Sequence, residues 1–126
     1  MKIIFAGLAA LWLAWMWDRL LQRLGTPELL RVGWLVPCGE ELIKFGTAAN
    51  FGCAYFWLHP LFGLGEGLYE TYRLFQAFRP IPVLLAVGTH LIFGISYVTP
   101  LEPQFSLLLA VALHTAWNHW VILKAR

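Results

Sequence analysis

The sequence predicts an all-α fold, a polytopic membrane helix bundle, and three observations predict it. Hydrophobic residues make up 60% of the 126 and charged residues 13%, against roughly 25% charged in a soluble domain. Mean hydropathy is +0.66. The apolar residues fall into five runs, each close to the about 20 residues that a crossing needs, separated by short breaks rich in Pro and Gly. The basic residues are lopsided: with five crossings, Arg19, Arg23, Arg31, Arg73, Arg79, Lys124 and Arg126 share one side and Lys2 stands alone on the other. A net charge of +2 with no basic stripe excludes nucleic-acid binding.

Met1 to Trp17 reads as an uncleaved first crossing, with Trp15 and Trp17 at an interface. Residues 18–32 read as a surface-lying stretch broken at Gly25-Thr26-Pro27. The second crossing is expected over residues 33–58 and His59-Pro60 as the turn after it. The third spans 61–78, the fourth 83–98 and the fifth 105–123, with turns at Arg79–Pro82 and Thr99–Pro103. The whole is one integral-membrane domain over 1–126, with 1–32 as an N-terminal helix and interfacial segment and 33–126 as a four-helix core. Cys38 and Cys53, placed on one helix about 22 Å apart, are too far apart for a disulfide and read as small apolar fillers. The charge asymmetry puts the N-terminus outside and the C-terminus in the cytoplasm.

Five ionisable residues fall inside these crossings: Glu40, Glu41, Lys44, Glu66 and Glu70. Each costs roughly 3 kcal/mol at a helix centre, so five isolated ones cost on the order of 15 kcal/mol, the whole stability of a domain. They are therefore expected to meet one another, a wet cavity or a cation. Depth supports convergence. At 1.5 Å per residue, Glu40, Glu41, Glu70, His90 and His114 all lie about 10–15 Å from the cytoplasmic helix ends. Asn118 lies one turn shallower. Glu40 and Lys44 share a helix face, as do His114 and Asn118. Lys44 is expected to keep one glutamate ionised. Glu66 lies nearer the outer face and reads as a backbone partner or the lining of an access path. His59 and His119 read as structural.

Such a set suits hydrolysis. A carboxylate can take a proton from water, and a histidine and an asparagine can donate to an oxyanion. The same residues can hold zinc through two histidines and a glutamate, with another glutamate as base; Glu70, His90 and His114 are the metal candidates. Two other readings stay open. Intramembrane acids and histidines also serve proton- or cation-coupled transporters and channels, and a fully cross-paired cluster would suit a non-catalytic membrane scaffold.

Glu40-Glu41-Leu42-Ile43-Lys44 resembles the E-E-x-x-K motif of the PrsW-type intramembrane proteases, which belong with the CPBP (CAAX-processing and bacteriocin-processing) superfamily of glutamate-dependent membrane endopeptidases. Gly63-Leu64-Gly65-Glu66-Gly67-Leu68-Tyr69-Glu70 resembles the second motif, with Glu70 as its acid and Glu66 where an apolar residue is usual. Gly88-Thr89-His90 with Gly94 resembles the third, and His114 to Asn118 the fourth, H-x-x-x-N. The motifs occur in the family's order over about residues 36–120. The resemblance implies a four-helix catalytic core with one extra N-terminal helix. It also implies hydrolysis of membrane-embedded or membrane-adjacent peptides, in the plasma membrane of a bacterium or archaeon. By position, Glu40 or Glu41 activates water, Glu70 and His90 position the water or a metal, and His114 and Asn118 stabilise the oxyanion. This chain is shorter than typical members and has no soluble loop.

Overall fold

In the computed structural model, which describes residues 1–124, helices account for nearly all of the chain and no strand occurs among the described residues. The order is α1 (Lys2–Arg23), the short α2 (Glu28–Leu30), a π-turn (Arg31–Leu35), α3 (Val36–Phe51), α4 (Tyr55–Phe75), α5 (Pro80–Gly94) with a 3₁₀ extension (Ile95–Val98), and α6 (Pro103–Lys124). Three of these are long and apolar enough to cross a membrane: α1, α5 with its extension, and α6. α3 and α4 are more polar because they carry most of the internal charges.

Burial runs opposite to that of a soluble protein. Glu41, Lys44, His59 and His90 are buried, whereas Phe5, Trp12, Leu84 and Leu108 are exposed. Water-soluble chains hide large apolar groups and solvate charges; here the outer surface is the apolar one, and the protein is a membrane protein.

Packing pairs show that the long helices alternate in direction. Ala6, Ala10 and Ala14, one turn apart, form the buried face of α1. Ala6 packs with Ala48 and Leu58, and Ala10 and Ala14 with Phe62. Gly63 and Gly67 press α4 onto α5: a Cβ on Gly63 would lie 2.7 Å from the Ala86 carbonyl oxygen, and one on Gly67 2.8 Å from the Val83 Cα. This is the small-xxx-small spacing that lets membrane helices approach closely. The alternation gathers Arg19, Arg23, Arg31, Arg73, Arg79 and Lys124 at one end, with Lys2 at the other; Arg126 lies outside the described residues.

Three boundaries differ from the sequence expectation. α1 does not stop at Trp17 but continues to Arg23, since residues 18–23 keep helical propensity and their charged side chains reach the basic end. The second crossing ends at Phe51, not residue 58, because Gly52 adopts the left-handed conformation (φ 59°) and caps α3. Cys53 N–H then reaches the Ala48 carbonyl at 3.0 Å, closing the cap. Cys53 thus lies in the turn, off the helix that carries Cys38. His59-Pro60 is not a turn but lies inside α4; Pro60 only removes one hydrogen-bond donor near that helix's start. Pro37 has the opposite consequence. Without an N–H it cannot bond to the Gly33 carbonyl, and the helix widens just upstream into the π-turn.

Candidate functional site

α3 supplies three charged residues on one buried face. Lys44 Nζ donates to Glu41 Oε1 at 2.6 Å and lies 3.3 Å from His90 Nδ1. It also sits 4.2 Å from the centre of the Phe62 ring. All three ammonium protons therefore have an acceptor, two lone-pair atoms and one aromatic face. Lys44 pairs with Glu41, three residues back, and not with Glu40.

Two of the histidines are each held by a carboxylate. His114 Nδ1 lies 2.8 Å from Glu41 Oε1. A carboxylate only accepts, so Nδ1 carries the proton and the lone pair is on Nε2. That nitrogen faces Glu40 Oε2 at 3.8 Å. His90 is held at both ends: Lys44 donates to Nδ1, so Nε2 carries the proton and donates to Glu66 Oε2 at 2.7 Å. His59, on α4 seven residues or about two turns before Glu66, places Nε2 3.7 Å from Glu41 Oε2. Four helices thus meet at one polar cluster of Glu40, Glu41, Lys44, His59, Glu66, His90 and His114.

Charge does not balance within the cluster. Three carboxylates face one ammonium, and Glu40 Oε2 and Glu41 Oε2 are buried with no hydrogen-bond partner. Protons, water or a cation must complete it. Two sets have the donors for a metal: Glu40, His90 and His114, and Glu41, His59 and His90, with ligand atoms within 4.8 Å of one another in each. The second set is a poor cation site because the Lys44 ammonium already contacts both Glu41 and His90. The first keeps two free ligand atoms, Glu40 Oε2 and His114 Nε2, but not a third, since Lys44 and Glu66 occupy both ring nitrogens of His90. Its Glu40 oxygen is unpartnered, and His114 is oriented by a carboxylate on its other nitrogen, as metal-bound histidines are. Zinc ligands sit at about 2.0–2.2 Å, so the set does not fit the ion as it stands: it would have to contract and His90 would have to give up one of its two hydrogen bonds.

Two cavities open onto the cluster. A groove of about 690 Å³ runs between α1 and α4, with Glu40 and Glu66 in its wall and Asp18, Glu28, Arg31 and Arg73 among its polar lining. A smaller pocket of about 160 Å³ lies between α5 and α6 and reaches Glu66, His90, His114 and Asn118. Away from both, Phe45, Tyr55, Tyr97 and His59 form a continuous aromatic stack with neighbouring ring centroids 4.9–5.4 Å apart.

Of the residues singled out in the sequence, Glu40, Glu41, Lys44, His90 and His114 come together. Glu70 does not join the cluster and is in neither metal-donor set, though it lines the groove that Glu40 and Glu66 border. It is one turn further along α4, half-exposed, and pairs with Arg73 at 2.8 Å. Glu66 holds His90 in its place. Asn118 borders both cavities, and its Nδ2 donates to the Val32 carbonyl at 2.9 Å. That carbonyl is free because, in the π-turn, Val36 N–H bonds to Arg31 instead. Sequence reasoning missed His59 and underrated Glu66. The signal was their seven-residue spacing, one face of one helix, which a turn at Pro60 would have broken. His119 is structural as expected: Nδ1 donates to the Thr115 carbonyl at 3.0 Å, and the ring fills the space above Gly33.

Comparison of the chain with family models, curated proteins and solved structures finds no match.

Proposed function

We propose that this chain is an intramembrane endopeptidase of the PrsW/CPBP type, with all five long helices crossing the membrane and the basic end in the cytoplasm. The observation that carries this reading is the unpartnered Glu40 carboxylate, which borders a groove with a charged mouth and faces the His114 lone pair. The two adjacent glutamates then divide the work. Glu41 is engaged by Lys44 and His114 and serves as an orienting group; Glu40 is the base.

In this mechanism, water enters by the groove and gives a proton to Glu40 as its oxygen attacks the peptide carbonyl. The proton passes to His114 Nε2, and the resulting imidazolium is stabilised by Glu41. His114 then protonates the departing amine, and the carbon–nitrogen bond breaks. The second N–H of Asn118 is the donor for the oxyanion, and Glu66 fixes the ring of His90 beside it. The aromatic stack across the cluster's far side favours this reading over a transporter, which needs a path leading out of both ends.

The test is cleavage of membrane-partitioning peptides by the purified protein. Glu40→Gln should lower the rate by roughly 10²–10⁴-fold, the usual contribution of a general base, whereas Glu70→Gln should leave it within a factor of two or so. Equal losses in both variants would reject the assignment.

A further inference from the structure

The pocket between α5 and α6 is distinct in character from the groove. Its deep wall is Glu66, His90 and His114 of the polar cluster, with Asn118 beside them. Its remaining wall is Leu85, Ala86, Phe93 and Trp117 together with Thr89. The Thr89 hydroxyl is already spent on its own helix, donating to the Leu85 and Ala86 carbonyls at 3.0 Å each. It therefore adds no free donor to the pocket. Trp117 is set by packing on Trp120, with centroids 5.2 Å apart. The outer part of this pocket thus offers apolar surface and no charge, while the groove on the other side carries the charged mouth.

Size selects the occupant. A cavity of about 150 Å³ lined by Leu, Ile and Phe stays dry and takes one benzene molecule; this pocket measures about 160 Å³. A helix, about 10–12 Å across with its side chains, does not fit. One large apolar side chain does.

Resting on the endopeptidase reading, we infer that the α5–α6 pocket is the specificity subsite, taking a single large aliphatic or aromatic side chain of the substrate next to the scissile bond. The groove carries water and the pocket carries the side chain, so the two reactants reach Glu40, Glu66 and His114 from different sides. The substrate class is a membrane-embedded peptide with Leu or Phe at that position. A small or charged residue there leaves the pocket empty or its wall mismatched.

Two measurements on the full-length protein in detergent or nanodiscs test this. In the first, a peptide pool varied at one position is digested and the ratio of Phe to Ala cleavage is read by mass spectrometry. Thr89→Phe, which fills the pocket, should lower that ratio at least tenfold, in line with the roughly 10- to 200-fold worth of small changes in an apolar pocket. Trp117→Ala, which widens it, should raise the share of Trp. Unchanged ratios in both folded variants overturn the inference while leaving the hydrolase reading intact. In the second, a membrane-partitioning Leu–Ala peptide bearing one diazirine-phenylalanine is photolysed with Glu40→Gln protein. Crosslinks on Leu85, Phe93 or Trp117 that disappear in Thr89→Phe support the pocket as the binding site of an apolar peptide side chain; if no peptide is ever cleaved, that binding stands and the hydrolase reading fails. Crosslinks confined to other residues overturn the subsite.

Discussion

Removing Lys44 should expose how far the cluster depends on one ammonium. Lys44 is 2% exposed and Glu41 0%, and their charged atoms are 2.6 Å apart. Lys44→Met keeps the length of the side chain and deletes the charge. It strands the Glu41 carboxylate, whose second oxygen already lacks a partner, and leaves His90 Nδ1 without its donor. Breaking a buried pair from one side costs about 3–5 kcal/mol. Replacing both partners by neutral groups costs far less, because no charge remains to desolvate. Glu41→Gln with Lys44→Met should therefore be within about 1.5 kcal/mol of the parent, although each single variant is severely destabilised. Reversible unfolding in mixed micelles, followed by circular dichroism across the four proteins, gives the coupling. A coupling below about 0.5 kcal/mol, the scatter expected of independent sites, would refute the idea that Lys44 and Glu41 act as one buried unit.

Other variants probe separate joints of the bundle. Gly63→Ala forces a methyl against the Ala86 carbonyl and should lower stability by roughly 1–3 kcal/mol in the same unfolding assay, with Gly46→Ala, open at that position, as the unaffected control. Trp17→Phe deletes the indole donor to the Leu35 carbonyl, 2.8 Å away, and should cost about 0.5–1.5 kcal/mol, read as a lower thermal midpoint. Glu70→Gln breaks only a half-exposed pair with Arg73 and should shift stability by less than about 0.5 kcal/mol; a large loss would show that Glu70 has a buried partner after all.

The sequence revealed most where cost was the signal. Charges at Glu40, Glu41 and Lys44 are too expensive in an apolar run to be unpaired, and their meeting with His90 and His114 follows from that expense and from shared depth. Partner choice within the cluster was not legible in the same way. Glu66 and Glu70 lie on one face one turn apart, and depth counted from helix ends cannot separate them when the ends themselves shift by a few residues. The misplaced turn at His59-Pro60 had the same origin: Pro reads as a breaker, yet the residue that ends α3 is Gly52, whose left-handed backbone the apolar stretch around it concealed. The π-turn depends on Pro37 acting together with Asn118 some eighty residues later, and no local pattern announces that pairing.

The tight connection at residues 52–54 bears on how the chain reaches its place. α3 alone would carry Glu40, Glu41 and Lys44 into lipid, and α4 alone His59 and Glu66. On the proposed five-crossing topology, two helices joined by so few residues are suited to enter as a single hairpin in which Lys44 offsets part of the acids' charge on the way. On that topology the Gly52 bend would serve biogenesis as well as architecture. Lengthening it should penalise delivery into the bilayer more than it disturbs the finished molecule.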